Sequence, residues 1–230
     1  MHLRSLEERL DTSKRLSQLD NFIDMVKELD FPDNSLALSV SVGDGIWDYL
    51  MLKNNRSIKK IIATDIIDNP VKPSDQLLLK AKGEWEFVKI QSESRLPFTD
   101  ETFDVVFHQD VVEHVKNTFF FLKEQHRVLK KGGILLLGTP NLFRPANILK
   151  LLFGRLQFPV KIGSNEEVGD YIHVQEFYEQ QIILLLREVG FMNISVRHGF
   201  WGIGFLRIVF SRHPRGRLGR SMTQYLTLRA

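Results

Sequence analysis

The chain has 230 residues, 43% hydrophobic and 26% charged, enough to bury one substantial core. It contains no cysteine, which excludes disulfides, thiolate metal sites and a cysteine nucleophile. The formal net charge of +3 is too small to argue for a nucleic-acid partner, and neither a secretory signal nor the ~18 consecutive apolar residues of a membrane span is present, so a cytoplasmic protein is expected.

From Leu3 to Leu29, apolar residues including Leu6, Leu10, Leu19, Phe22, Ile23 and Val26 recur at three- and four-residue spacings. This pattern predicts an amphipathic helical extension over residues 1–34, ended by Pro32 and Asn34. LALSVSV (36–42) then leads through Gly43-Asp44-Gly45 into IWDYLMLKN, the order strand, glycine turn, helix. Further apolar runs follow at KKIIATD (59–65), EFVKI (86–90), FDVVF (103–107) and GGILLLGTP (132–140). A helix is predicted from Thr118 to Leu129, stopped by Lys130, Lys131 and Gly132, and another over residues 174–190, closed by Gly190. FMNISVRH and QYLTLRA read as the sixth and seventh strands. Strands alternating with helices predict one doubly wound, Rossmann-like α/β domain over residues 35–230, with insertions at about 141–171 and 198–222.

In such a sheet, ligands bind outside the carboxyl ends of the strands, where glycine lets the backbone approach closely. Gly43 and Gly45 occupy that place, and Asp65 closes the second strand, where a carboxylate accepts hydrogen bonds from two ribose hydroxyls.

Four segments carry a family resemblance. SVSVGDG (39–45) resembles a D-V-G-C-G-T-G first motif, RLPFTDETFDVVFHQDVVEHV (95–115) resembles L-P-F-x-D-x-S-F-D-x-V running into E-H-V, and FLKEQHRVLKKGGILLLGTPN (121–141) and HVQEFYEQQIILLLREVGF (173–191) complete the series in order. Together they resemble the class I S-adenosylmethionine-dependent methyltransferases, close to the type 11 group. The resemblance implies a seven-stranded, mostly parallel sheet whose last strand is antiparallel, and S-adenosylmethionine as cofactor with S-adenosylhomocysteine as product. It places Ser41, Gly43 and Gly45 beneath the cofactor's methionine and ribose, Asp65 on the ribose hydroxyls, Ser92 and Glu93 at the adenine, and Gln109 at the end of the fourth strand. Three residues depart from the pattern: Ser39 stands for the usual acid, Ser41 for the first glycine and Ser92 for the usual aspartate.

After the fourth strand, the chain carries His108-Gln109-Asp110 rather than the Asn/Asp-Pro-Pro-aromatic box of amine-methylating relatives. This points to oxygen methylation of a small-molecule, sugar or lipid-linked acceptor, for which a general base helps, with His108, His114 and His173 as the catalytic candidates. Asp110, Glu113 and His114 share one face if their segment is helical, but the commoner reading of such a run is metal-free and no metal ligand is assigned. The two insertions mix bulky apolar residues with Arg and Lys and are expected to form a lid, suited to an amphipathic anionic acceptor, a glycan, or docking at a membrane surface. The rival reading is a non-catalytic methyltransferase-like scaffold, motivated by the three serines.

Overall fold

In the computed structural model, which describes residues 6, 10, 16–92, 94–155, 173–203, 208–211 and 216–230, the alternation of the sequence becomes a sheet. Helix α1 (Leu16–Lys27) precedes β1 (Ser35–Val40), α2 (Ile46–Asn54), β2 (Ile58–Asp65), α3 (Pro73–Lys80), β3 (Glu84–Lys89) and β4 (Phe103–Gln109). Then come α4 (Thr118–Val128), β5 (Leu129–Pro140), α5 (Pro145–Leu152), α6 (Glu179–Val189), β6 (Ser195–His198), β7 (Trp201–Ile203), β8 (Ile208–Ser211), α7 (Gly216–Ser221) and β9 (Tyr225–Arg229). Seven strands pair in the order β3-β2-β1-β4-β5-β9-β6, with β7 and β8 forming a separate hairpin. The pairs β1–β2, β1–β4 and β2–β3 are parallel and β6–β9 is antiparallel, as expected from the resemblance. Strand order reverses around β1, the place where doubly wound sheets open a crevice for a ligand. Among the described residues no helix is long and apolar enough to cross a membrane.

The chain divides into two compact units: residues 1–108 with 124–136, and residues 109–123 with 137–230. In the first unit Phe22 of α1 is fully buried, with its ring edge-on to Trp47 at 5.1 Å and 6.1 Å from Phe107. The Asn55 side chain donates to the carbonyls of Val26 and Leu29 at 3.0 Å each, satisfying acceptors that the end of α1 would otherwise leave open. Helix α1 is therefore packed into the core of the first unit.

The L-P-F segment owes its course to Arg127, which donates to the carbonyls of Leu96 (3.0 Å) and Phe98 (2.8 Å) and to Asp100 (2.7 Å). Glu124 accepts from the same guanidinium and from the Leu96 amide at 3.0 Å. Burial raises the Glu124 carboxyl, but the hydrogen bonds from Arg127 and the Leu96 amide outweigh it and hold it below the usual range. The stop predicted at Lys130–Gly132 falls earlier, because the amides of Glu101 and Thr102 capture the carbonyls of Arg127 and Val128 and the chain enters β5 at Leu129.

In the second unit β6 pairs with β9 from Ser195↔Arg229 to His198↔Leu226. Helix α6 starts at Glu179 rather than 174, because the amides of Val174 and Gln175 are taken by the Glu113 carbonyl. It ends where predicted, on Gly190, whose φ of 118° is open to glycine. The first insertion contributes α5, with its residues 156–171 outside the described set, and the second contributes β7, β8 and α7.

Truncating Phe22 to alanine removes a large, fully buried ring from two aromatic neighbours and is expected to cost about 3–5 kcal/mol. Urea unfolding followed by circular dichroism checks this; a loss under about 1 kcal/mol would show that α1 is not part of the cooperative core.

Candidate functional site

The turn between β1 and α2 must reverse the chain and still present its backbone. Ser41 (φ 60°), Gly43 (54°) and Gly45 (83°) all lie in the left-handed region. At Gly45 a Cβ would also press on Val71 at 3.2 Å, whereas at Gly43 it would meet nothing within 4 Å. Gly43 thus leaves open, exposed space over its backbone, the kind of approach a cofactor needs. Asp65, at the end of β2, accepts from the Gly43 amide at 3.2 Å through Oδ2 and from the Ile66 amide at 2.8 Å through Oδ1. One carboxylate therefore fixes the turn and ends the second strand.

Ser41 is exposed within this turn, and Ser92 is exposed after β3, while Glu93 lies outside the described residues. Ser39 points elsewhere: its hydroxyl donates to Asp48 Oδ1 at 2.6 Å, and the Trp85 indole donates to Asp48 Oδ2 at 2.7 Å. Asp48 is fully buried, and burial pushes its carboxyl up to about 7 against these two hydrogen bonds. His108 is also enclosed, with 2% of its surface exposed; burial pushes its imidazole down to about 3, with Gln125 acting the other way. A base so enclosed is held neutral in the first unit's interior.

The second unit holds the other candidates. Gln109 is buried against Gly138, where a Cβ would fall 1.9 Å from its Oε1, and that oxygen lies 3.5 Å from the Tyr225 hydroxyl. Asp110 takes a left-handed φ of 56°, and only a 3-10 turn, Val112–His114, follows. The helical face expected for Asp110, Glu113 and His114 is therefore absent. Instead the fold brings His173 to Glu113 and His114, with one ligating atom of each within 4.8 Å of the others and the two imidazoles edge-to-face at 4.9 Å. The anchor is the pair of hydrogen bonds that the Glu113 carbonyl accepts from residues 174 and 175.

Glu113 is completely buried; its Oε2 accepts from Thr139 at 3.0 Å, and burial, with Asp110 adding to it, pushes its carboxyl up to about 8. Glu176, a residue the sequence reading did not single out, binds His173 Nδ1 at 2.6 Å, Asn147 at 2.7 Å and Arg144 through both guanidinium nitrogens. Burial raises the Glu176 carboxyl, but the bonds from His173 and Arg144 outweigh it and hold it below the usual range. The three-residue spacing of His173 and Glu176 was the available signal. Arg144 and Asn147 bracket the start of α5, so the cluster is tied to a helix exposing Leu149, Leu151 and Leu152, with Phe153 beyond it. Among the described residues, Ala146, Leu149, Lys150, Phe153 and Arg155 line an apolar cleft of about 470 Å³ there.

Comparison with known proteins places this geometry. Residues 38–137 match the family model described as a methyltransferase domain. A demethylmenaquinone methyltransferase of Geobacillus stearothermophilus is 25% identical over 205 residues, covering 82% of this chain and 84% of that protein. In fold, the chain is similar to a SAM-dependent methyltransferase from Archaeoglobus fulgidus (TM-score 0.60, 14% identity, 98% and 97% of the two chains). It is similar also to a Burkholderia thailandensis 1,6-didemethyltoxoflavin-N1-methyltransferase with bound 1,6-didemethyltoxoflavin and S-adenosylhomocysteine (TM-score 0.59, 15% identity, 97% and 81%).

Two outcomes follow from the first unit. A left-handed serine costs about 1–2 kcal/mol and glycine returns part of that gain as chain entropy, so Ser41→Gly is expected to raise stability by up to about 1 kcal/mol in urea unfolding; a loss of stability would mean that the serine hydroxyl holds the turn. Because the Asp48 carboxyl is raised from 3.8 to about 7 on folding, its contribution is full below pH 4 and is lost as pH rises through 7. Asp48→Asn mimics the protonated form, and is expected to flatten the fall in thermal midpoint between pH 4 and 7; an unchanged slope would show that the group titrates normally.

Proposed function

We propose that the chain is a class I S-adenosylmethionine-dependent methyltransferase that methylates a hydroxyl oxygen on an amphipathic small molecule, sugar-like or lipid-linked, a reading supported by the match of residues 38–137 to a methyltransferase-domain model. Bound S-adenosylmethionine supplies an electrophilic methyl group on a sulfonium. The residues of the first unit fit that cofactor: Gly43 leaves its backbone open and Asp65 presents a carboxylate suited to ribose hydroxyls. Ser41, Ser92 and Glu93 belong to the proposed contact set, and Gln109 belongs to it through its position at the end of β4.

The observation that carries the oxygen reading is the group Glu113, His114 and His173, two imidazoles and a buried carboxyl in one place. Displacement at a sulfonium needs mainly orientation and exclusion of water, and a hydroxyl nucleophile must in addition shed its proton. That group would take the proton of the acceptor hydroxyl, while S-adenosylmethionine, when bound, would supply the methyl carbon. Of the three histidines, His108 is the one whose enclosure does not suit the role. The amphipathic acceptor is supported by α5, whose exposed leucines and cationic Lys150 and Arg155 adjoin residues that hold Glu176. Curated relatives named for demethylmenaquinone fit an apolar acceptor equally well.

Calorimetric titration of S-adenosylmethionine and S-adenosylhomocysteine tests the cofactor assignment. Micromolar binding is expected, weakened at least about tenfold in Asp65→Ala, the scale of a lost charge-assisted hydrogen bond. Absence of binding at millimolar cofactor would favour the scaffold reading. With 13C-methyl-labelled cofactor and a panel of phenolic lipids and glycosides, the product is expected to show a methoxy carbon resonance; a methyl on carbon or nitrogen would overturn the oxygen reading.

A further inference from the structure

The charge of the second unit's insertions has no part in the chemistry above. Residues 189–230 carry seven arginines and neither Asp nor Glu, and residues 141–155 carry Arg144, Lys150 and Arg155, again without an acid. The acids of the first insertion, Glu166, Glu167 and Asp170, lie outside the described residues. Solvated surfaces ordinarily intersperse both signs, whereas a long stretch of one sign holds a field that draws anions. Helix α7 presents this charge: its sequence GRLGRS sets Arg217 and Arg220 three residues apart on one helix face, and both are exposed. None of its residues is buried. A helix of six residues is too short to sustain itself in water, and one that adds no side chain to the core is not explained by packing.

The end of β5 fastens α7 beside the proposed reacting group. Thr139 donates to Glu113 Oε2 at 3.0 Å. Two residues on, the Asn141 side chain donates to the carbonyls of Ser221 (2.9 Å) and Thr223 (2.8 Å), and its amide donates to that of Gln224 (3.1 Å). Arg144 then holds Glu176, which binds His173. At the ~3.3 Å rise of a strand, Thr139 and Asn141 stand about 7 Å apart, so the last turn of α7 and the group Glu113, His114 and His173 hang from neighbouring points of one strand end. We propose that Arg217 and Arg220 bind a phosphate or diphosphate carried by the methyl acceptor, whose hydroxyl then meets Glu113, His114 and His173. Guanidinium is charged at every working pH and meets phosphate oxygens through paired hydrogen bonds. The role of the phosphate in placing a hydroxyl rests on the oxygen reading above, and phosphate recognition itself does not. A soluble glycosyl diphosphate and a polyprenyl phosphate present the same group, and the experiment separates them.

Full-length protein is titrated by calorimetry with inorganic pyrophosphate, with uridine diphosphate glucose, and with phosphatidylcholine vesicles made with and without polyprenyl phosphate. Saturable binding of one pyrophosphate per chain, weakening as salt is raised, is expected. The double variant Arg217→Gln, Arg220→Gln is expected to weaken it at least about tenfold, the scale of lost charge-assisted hydrogen bonds. Arg220→Lys keeps the charge but not the fork, and is expected to fall between the two. Tighter binding of uridine diphosphate glucose than of pyrophosphate would assign a soluble acceptor, and tighter binding of the polyprenyl phosphate vesicles a lipid-linked one. Both arginines are exposed, so the variants are expected to fold, and titration with S-adenosylmethionine, which has no phosphate, checks that they do. Absence of saturable pyrophosphate binding, or equal binding in the double variant, would overturn the phosphate site and leave the oxygen reading standing. A product methylated on carbon or nitrogen, with phosphate binding intact, would do the reverse.

Discussion

The sharpest constraint in the molecule is the passage from β1 to α2, where three of five consecutive residues, 41, 43 and 45, hold left-handed backbone. Glycine meets that demand twice without a steric cost, and serine meets it once with one. The turn combines two conditions: close packing at Gly45, where a side chain would strike Val71, and open space at Gly43, where a Cβ would meet nothing within 4 Å. Asp65 answers both needs at once. Its bond to the Gly43 amide locks the turn, and its position at the end of β2 places a carboxylate beside it. The strand order of the sheet matters to function because it delivers β1 and β2, with their turn and their acid, as parallel neighbours.

The second unit works by a different economy, that of buried carboxyls with unequal surroundings. Glu113 and Glu176 are both almost wholly buried, yet their carboxyls are driven in opposite directions. Glu176 has Arg144, Asn147 and His173 around it and is held as a carboxylate, whereas Glu113 has Thr139 on one oxygen and Asp110 as a like charge nearby. Environments that push paired acids apart commonly mark functional chemistry, because one acid then orients while the other reacts or ligates. His114 and His173 share the space of the second kind.

Much of the first unit was legible in the sequence. The helix predicted at IWDYLMLKN has the observed bounds, Ile46–Asn54, because its glycine turn and its Asn55 end are both local signals. The strands were legible because buried parallel strands read as continuous apolar runs. Boundaries set by distant partners were not: α4 ends early because residues 101 and 102 capture its last carbonyls, and α6 starts late because Glu113 claims two amides. For the same reason the grouping of Glu113 with His173 was hidden, since residues some sixty positions apart are brought together by contacts such as that carbonyl's. The expected Asp110–Glu113–His114 face presupposed a helix, and the chain forms a single 3-10 turn instead. His108 was chosen for its neighbours in sequence, and its burial within β4 is visible only in the packing of the strand.

Ser39 shows how a departure from a family pattern can be half of a pair. The sequence reads as the loss of an acid at the end of the first strand. In the structure, that position faces Asp48, a fully buried carboxyl whose two oxygens are engaged by Ser39 and Trp85. An acid at 39 would set a second carboxyl in contact with the first in a place closed to water, where two such groups cannot both ionise. A hydroxyl there donates the hydrogen bond that the buried aspartate requires. The serine and the aspartate are therefore mutually dependent: the helix residue supplies the acid, the strand residue accommodates it, and neither is an isolated lesion of the first motif. Asp65, by contrast, has its carboxylate engaged by backbone amides of the turn and of the residues that follow it.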